Sequence, residues 1–219
     1  PTPPSAAPAP RPRRWPPSNP PAPAPETPPA MQTAVHAEGD LAPALEWQAR
    51  SAVRVIWPGP FTGDLRHPTR LRQEHEPHHD LVAHAVATAG EVLVAYASVV
   101  ASRITALGES WPVLGLSNVF VFPSHRGEGA GRAVVRAAMD WMRTRPEPLA
   151  VLFSVPGTEP FYARLGWSAA TGETLIGPPD APHPHPAPAT RMVLPLAPRA
   201  EAALDALLAA DAHVGPSRW

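Results

Sequence analysis

The chain has 219 residues and a net charge of −1 at neutral pH, and its eighteen basic residues are all arginine. This length fits one domain, and the near-zero net charge argues against nucleic acid or an anionic membrane surface as a partner. Because there is no cysteine, disulfides, thiolate metal sites and a cysteine-bound intermediate are excluded.

The first 30 residues are mostly proline and alanine, and such a segment buries too little apolar surface to fold. We therefore expect residues 1–30 to be a disordered tail and residues 31–219 to form one domain. Recognition of a Pro-x-x-Pro segment by a partner is the alternative role for the tail. No apolar run approaches the roughly 18 residues of a membrane-spanning helix, so we expect a cytoplasmic protein without membrane contact.

Several short patterns define the first half of the domain. A strand is predicted at "MQTAVHA", followed by a helix that Asp40 would cap and by a short helix from Thr69 to His75. Runs rich in valine, alanine and leucine then predict three strands, "DLVAHAVAT", "EVLVAYASVV" and "PVLGLSNVFVF", with a longer turn around "LGESW" between the last two.

In the second half, strand and helix patterns alternate. A helix starting near Gly129 is followed by the strand "LAVLFSV", the helix-sized "TEPFYARLGW", the loop "PPDAPHPHPAPAT", the strand "RMVLPL" and a last helix, "RAEAALDALLAADA". This order predicts an α/β or α+β fold with a mixed sheet.

The stretch "VFVFPSHRGEGAGRAVV" places a glycine-rich turn between a strand and a helix. Free N–H groups and partial positive charge at the start of a helix favour anions. Gly127, Gly129 and Gly131, flanked by Arg126 and Arg132, therefore predict a phosphate site. A tight turn that needs positive φ is the alternative interpretation.

Two common phosphate motifs do not fit this turn. A nucleoside-triphosphate P-loop requires a lysine, and the chain has none. A dinucleotide fingerprint requires a third glycine, but that position is Arg132 or Val134, depending on where the count starts.

The turn does fit the pattern [QR]-x-x-G-x-[GA] after a strand that ends in V-x-P, through Val121, Pro123 and the segment "RGEGAG" from Arg126. Downstream, "FYARLGW" from Phe161 is similar to a "FYxxLGF" box. With both motifs in this order, residues 32–196 resemble the GCN5-related N-acetyltransferases (GNAT). Within that superfamily the chain is most similar to the aminoglycoside 2'-N-acetyltransferases, through "PFTGD", the central hairpin, "RMVLPL" and Trp219.

The resemblance implies a GNAT fold, with a central mixed and mostly antiparallel sheet flanked by helices, and acetyl-CoA as cosubstrate. It implies that the backbone near Val119, Phe120 and Val121 holds the pantetheine and polarises the thioester. It also implies that the pyrophosphate lies on the turn, formed by Arg126, Gly127, Glu128, Gly129, Ala130, Gly131 and Arg132. From the helical spacing, Arg136 either reaches a further phosphate or pairs with Asp140.

For catalysis, Tyr162 matches the tyrosine that protonates the departing thiolate in many relatives. The aminoglycoside enzymes carry a glutamate shortly before V-x-P, where this chain has Ser117 and Asn118, which we expect to order a water that relays the proton. Glu109 and the carboxylate of Trp219 are the substitutes for that base.

The acceptor is expected to be a small primary amine that attacks directly in a ternary complex, and the resemblance favours an aminoglycoside acetylated at its 2' amine. Asp64, Glu109 and Trp219 are the candidate acceptor-binding residues. Acetylation of another amine, or CoA binding without turnover, are the alternatives. Relatives are often homodimers, so a homodimer is the expectation. His75, His78, His79 and His84 lie close together in sequence, but a turn followed by a strand does not give fixed metal geometry, so we expect no metal.

Overall fold

The computed structural model describes residues 30–57, 80–198 and 200–216. The strands are β1 (Met31–Ala37), β2 (Asp80–Ala89), β3 (Val92–Ala106), β4 (Glu109–Val121), β5 (Leu149–Ser154), β6 (Ser168–Ala169), β7 (Thr174–Ile176), β8 (His183–Pro184), β9 (Thr190–Pro195) and β10 (Ala212–His213). The helices are α1 (Pro43–Ile56), α2 (Ala130–Met142), α3 (Glu159–Ala163) and α4 (Glu201–Ala209), with a short 3-10 turn at Pro123–His125.

All ten described strands belong to one sheet. Strands β1 to β4 form an antiparallel meander, and β5 then pairs with β4 in parallel. Beyond β5, β9 and β6 continue the sheet in antiparallel order. At the far end of β3, β10 pairs antiparallel with β3 and parallel with β7, which in turn pairs with β8. The sheet is therefore mixed and mostly antiparallel, as the sequence predicts.

Helices α1 and α2 cover opposite faces of the meander. Successive residues of a strand point to opposite faces, and on β2 Ala85 packs in the cluster beneath α2 whereas Val86 packs in the cluster beneath α1. The α1 cluster also contains Tyr96 and Phe120, and its helix contributes Ala49 and other buried residues. The α2 face is lined mainly by alanine and valine, which lets the helix approach the sheet closely.

The start of α1 differs from the prediction. Asp40 is not its N-cap, because the helix begins at Pro43 with Ala42 in the capping position. Proline has no N–H to lose and a φ already suited to the first helical turn, so the boundary lies two residues later than predicted.

The β3–β4 connection is also tighter than predicted. It is a two-residue turn at Leu107 and Gly108, both with positive φ, which is the backbone conformation that matches the twist of paired strands. The remainder of "LGESW" consequently belongs to β4.

The segment "TEPFYARLGW" is helical over only half of its length, since α3 spans Glu159–Ala163. The four short strands β6, β7, β8 and β10 were not predicted.

The buried Arg191 side chain of β9 connects the carboxyl-terminal elements of the chain. It donates to the carbonyl oxygens of Leu207 at 3.1 Å, Glu173 at 2.6 Å and Ala210 at 2.6 Å.

Candidate active site

Strands β4 and β5 separate halfway along their length. Their pairing is limited to Val113–Gly115 against Leu149–Val151, although β4 continues to Val121 and β5 to Ser154. From Leu116 onwards, the edge of β4 that faces β5 therefore has no partner strand within the described part of the chain. Backbone donors and acceptors along this edge are available to a ligand placed between the two strands.

Asn118 forms a β-bulge within this unpaired stretch. Ser117 pairs with Ser98 and Phe120 with Tyr96, so two β4 residues face only Ala97 on β3. Asn118 has φ of 51°, a left-handed conformation that asparagine tolerates better than most residues. Its Nδ2 donates to Ser98 Oγ at 3.0 Å. The bulge re-aims the backbone at the opening between β4 and β5.

The side chains around the bulge point to different faces. Val119 and Val121 are half-buried against the α2 cluster, while Phe120 is buried on the α1 face and lies 5.5 Å from the ring of Tyr96. Apolar packing therefore occupies the side chains, and the backbone of Val119 and Val121 is the part of this segment that a ligand can reach.

The glycine turn lies at the amino end of α2, as predicted. Gly129 is the N-cap, with φ of 86°, and no side chain caps the helix. The first intrahelical hydrogen bond is donated by Ala133 to the carbonyl of Gly129 at 3.0 Å. The N–H groups of Ala130, Gly131 and Arg132 therefore have no acceptor in the helix and form an uncapped, partly positive end.

Gly131 brings the two sequence motifs together. A Cβ atom at this position would lie 3.1 Å from Val121 Cγ2 and 4.0 Å from Phe161 Cζ. The start of α2, the end of β4 and the first aromatic residue of "FYARLGW" are thus in contact, and the absence of a side chain at Gly131 makes that approach feasible.

Tyr162 lies on α3 beside this junction. Its ring is half-buried, with centroids 4.9 Å from Phe161 and 6.4 Å from Trp167 in edge-on arrangements. Burial raises the pKa of Tyr162 to about 12, so the hydroxyl carries its proton at neutral pH. It forms no hydrogen bond with another described residue, which leaves it available to a ligand.

A surface cavity of about 320 Å³ is lined by Arg136 of α2, by Arg143 directly after α2 and by Arg164 directly after α3. Asp140 accepts a hydrogen bond from Arg143 at 2.8 Å, so the expected alternative, a pair between Arg136 and Asp140, is not formed. Arg136 remains exposed beside Arg164, one turn along α2 from Arg132.

The sequence that forms these strands and helices matches a known protein family. A family model described as "Acetyltransferase (GNAT) domain" matches residues 56–170, more than half of the chain. The chain belongs to the GNAT acetyltransferase family. The ten-stranded sheet that opens between β4 and β5 is accordingly its version of the GNAT fold, which confirms the predicted fold class.

Solved structures agree on the fold. The GNAT family N-acetyltransferase YhbS from Escherichia coli, solved in complex with CoA, is 20% identical with a TM-score of 0.53, covering 86% of this chain and 93% of that one. An aminoglycoside 6'-N-acetyltransferase complexed with coenzyme A is 15% identical with a TM-score of 0.50, covering 76% of this chain and 98% of that one. No curated protein matches the sequence.

Within this GNAT domain, some of the predicted site residues lie near the opening between β4 and β5 and others do not. Ser117 and Asn118 lie at the bulge, and Glu128 is exposed in the turn, 3.2 Å from His125. Glu109 lies at the far end of the β3–β4 hairpin, and nine residues of strand from Asn118 amount to about 30 Å. That separation is too large for Glu109 to act as a base on an amine beside Asn118. Asp64 and Trp219 lie outside the described residues.

The histidines that were considered as metal ligands, and at which no metal was expected, lie mainly outside the described residues. Among the described residues there is no group of three or more potential metal-ligating side chains. His84 is described, and it faces Glu38 and Tyr96, whereas His75, His78 and His79 lie outside the described residues. No helix in the described ranges is long and apolar enough to cross a membrane.

Three features of the site were missed by the sequence reasoning. They are the bulge at Asn118, the participation of Arg164 in the arginine-lined cavity, and the contact of the buried His84 with Tyr96 and with the partly exposed Glu38 on the α1 face. An asparagine inside a predicted strand was the local signal for the bulge, since asparagine accepts left-handed φ.

Proposed function

We propose that the protein is an acetyl-CoA-dependent N-acetyltransferase that acetylates a primary amine of a small molecule. One observation carries this proposal: the uncapped glycine turn of α2 lies directly beside the unpaired edge of β4. A diphosphate on the turn and an extended pantetheine along the strand fit these two features together. The CoA-bound state of the neighbouring structures supports the same ligand.

In this proposal the backbone of the turn from Gly127 to Arg132 binds the pyrophosphate, with Arg126 and Arg132 adding charge. Arg126 Nε already lies 3.4 Å from the carbonyl oxygen of Val121, which connects the turn to β4. Arg136 and Arg164 are proposed to hold a further phosphate of CoA in their cavity. The pantetheine then lies along Val119 to Val121.

The proposed reaction is a direct attack. The neutral amine nitrogen forms a bond to the thioester carbonyl carbon, and backbone N–H groups of β4 near Val119 stabilise the oxyanion. The carbon–sulfur bond breaks, and Tyr162 gives its proton to the departing thiolate. The attacking nitrogen loses a proton as the amide forms, and that proton returns to Tyr162. Burial raises the pKa of Tyr162 to about 12, so its hydroxyl is protonated at the start of each turnover. Each turnover releases one net proton from an amine that binds as its ammonium form.

Acceptor identity is proposed at two levels. The general class is a small primary amine, and the candidate within it is an aminoglycoside acetylated at the 2' amine, which would give antibiotic resistance. The sequence pieces shared with the aminoglycoside 2'-N-acetyltransferases support that candidate, while the missing strand glutamate at Ser117 and Asn118 weighs against it. Asp64 and Trp219 are proposed acceptor contacts.

The proposal extends to the organisation of the chain. Residues 31–219 are proposed to form the acetyltransferase domain, and residues 1–29, most of the tail that the sequence predicts, lie outside the described residues. Acetyl-CoA is a cytoplasmic metabolite, so the cytoplasm is the proposed location, and a homodimer is the proposed assembly.

Release of free thiol from acetyl-CoA tests the function. The panel contains kanamycin A, spermidine, amino acids and a peptide with a free amino terminus, each with the full-length protein. Amine-dependent thiol release that saturates with acetyl-CoA is expected. A protein that binds CoA but releases no thiol with any of these amines would instead favour a CoA-binding protein without turnover.

A further inference from the structure

The glycine turn before α2 carries an acidic residue at the place where a diphosphate is proposed to bind. Glu128 lies between Gly127 and Gly129 and directly precedes the N-cap of α2. Its side chain is 59% exposed, and its negative charge opposes the binding of a negatively charged ligand at the turn. The position of this carboxylate therefore affects the proposed CoA site.

His125 contacts the Glu128 carboxylate. Nδ1 of His125 lies 3.2 Å from Oε2 of Glu128. Because a carboxylate only accepts hydrogen bonds, Nδ1 carries the hydrogen and donates it. No side chain caps the amino end of α2, so the carboxylate is bonded to His125 and not to the N–H groups of the helix.

The backbone anchors His125, whereas Glu128 stands between two glycines. His125 closes the 3-10 turn that precedes the glycines, and its N–H donates to the carbonyl oxygen of Phe122 at 2.9 Å. The ring of Phe122 lies 5.5 Å from that of the buried Phe120, which ties this turn to the sheet. Glycine restricts the backbone less than any other residue. His125 is therefore the fixed partner of the pair.

The other position open to the Glu128 carboxylate is the start of α2. The N–H groups of the first helical turn have no acceptor in the helix, and together with the helix dipole they attract a nearby carboxylate. The first turn of α2 contains no acidic residue, and Glu128 is two residues from Ala130 in the sequence. A Glu128 side chain released from His125 is thus attracted to the N–H groups that a diphosphate needs.

The arginines of the turn do not neutralise Glu128. Arg126 Nε lies 3.4 Å from the carbonyl oxygen of Val121. In the described part of the chain the ion-pair partner of Glu128 is His125, and neither Arg126 nor Arg132 pairs with it. Both arginines consequently remain available to phosphate, and the position of the carboxylate depends on the histidine.

We propose that His125 is a positioning residue for CoA, which holds the Glu128 carboxylate away from the start of α2 and leaves the free N–H groups to the diphosphate. This inference rests on the proposed binding of CoA at the turn. It makes Glu128 a competitor of the ligand within the chain. Because an exposed charge at the end of a helix has a modest effect, the expected change in affinity is about two- to fivefold.

Five forms of the full-length protein test this role by isothermal titration calorimetry with CoA. They are the wild type, His125→Ala, His125→Asn, Glu128→Gln and the double variant His125→Ala/Glu128→Gln. Asparagine is the matched control for alanine, because its side-chain amide keeps an N–H donor close to the position of Nδ1. The His125 and Glu128 side chains are 33% and 59% exposed, so all variants should keep the wild-type melting temperature.

The expected result is a dependence of one substitution on the other. His125→Ala should bind CoA about two- to fivefold more weakly than the wild type, while His125→Asn should match the wild type. Glu128→Gln should bind CoA at least as tightly as the wild type, and His125→Ala should have no effect in the Glu128→Gln background. The loss in His125→Ala should also shrink at high salt, since exposed charges are screened.

Equal CoA affinity in the wild type and His125→Ala would overturn the positioning role and leave the proposed CoA site intact. A loss in His125→Ala that persists in the double variant would also overturn it, because the carboxylate is then not the cause. A wild-type protein that does not bind CoA would contradict the proposed function, and this role with it.

Discussion

A Cβ atom on Gly131 would lie 3.1 Å from Cγ2 of Val121, so α2 begins in direct contact with the last residue of β4. This contact is what places the uncapped end of the helix beside the unpaired strand edge. Any side chain at position 131 must displace Val121 or move the helix outwards, and either change disturbs the proposed CoA site.

Substitutions at Gly131 should separate helix propensity from packing. Gly131→Ala gains up to about 1 kcal/mol of helix propensity against a tight contact, so we expect stability close to that of the wild type. Gly131→Val adds two methyl groups towards Val121 and Phe161 and should cost about 1–3 kcal/mol by overpacking. Urea denaturation measures both, and a valine variant as stable as the alanine variant would contradict the close approach.

Removal of the Tyr162 hydroxyl should affect the chemistry much more than the fold. Because this hydroxyl has no hydrogen bond with another described residue and the ring packs on Phe161 and Trp167, Tyr162→Phe should retain the wild-type melting temperature. If Tyr162 protonates the thiolate, kcat should fall by about 10- to 100-fold with little change in KM for acetyl-CoA. Unchanged kcat would remove Tyr162 from the mechanism.

Loss of the Arg191 guanidinium should destabilise the carboxyl-terminal part of the domain. Burial lowers the pKa of Arg191 to about 10, so the group is still charged at pH 7 and donates to three carbonyl oxygens. Arg191→Met leaves those oxygens unsatisfied and should cost about 3 kcal/mol. The control is Arg103→Met, since Arg103 is exposed and, among the described residues, bonds only to Ser110; it should cost less than about 0.5 kcal/mol.

His84 should make the stability of the fold depend on pH. Its pKa in the folded protein is below the 6.5 of the unfolded chain, so between these values the unfolded state binds more protons and the free energy of unfolding rises with pH. On acidification, stability is therefore lost from about pH 6.5 down to the folded pKa. Urea midpoints from pH 5 to 8 should show this slope in the wild type, and a His84→Gln variant that keeps the full slope would contradict it.

The sequence patterns sufficed for the elements that carry strong periodicity. The long valine- and alanine-rich runs predicted β2, β3 and β4, and the spacing after Gly129 predicted α2. The short strands could not be predicted in this way, because two or three residues, as in β6 or β10, contain no repeat to detect.

The candidate site was predictable where its chemistry is local. The glycine turn is one segment, and its function follows from adjacent residues. The contacts of His84 with Glu38 and with Tyr96 are different, because these partners lie 46 and 12 positions away from His84 in the sequence. Their meeting depends on the register of three strands, and a single slip of one residue would turn His84 to the other face of the sheet.

The binding of CoA to the glycine turn is tested most directly by isothermal titration calorimetry with three proteins. Gly129 and Gly108 have similar positive φ values, 86° and 79°, and open space around a Cβ, but Gly108 lies in the distant β3–β4 turn. Gly129→Glu and Gly108→Glu therefore carry equal charge and similar backbone strain. We expect CoA to bind the wild type and Gly108→Glu alike and to bind Gly129→Glu at least about 100-fold more weakly, a loss of roughly 2.7 kcal/mol. Equal affinity in all three proteins, or no binding to the wild type, would contradict the account.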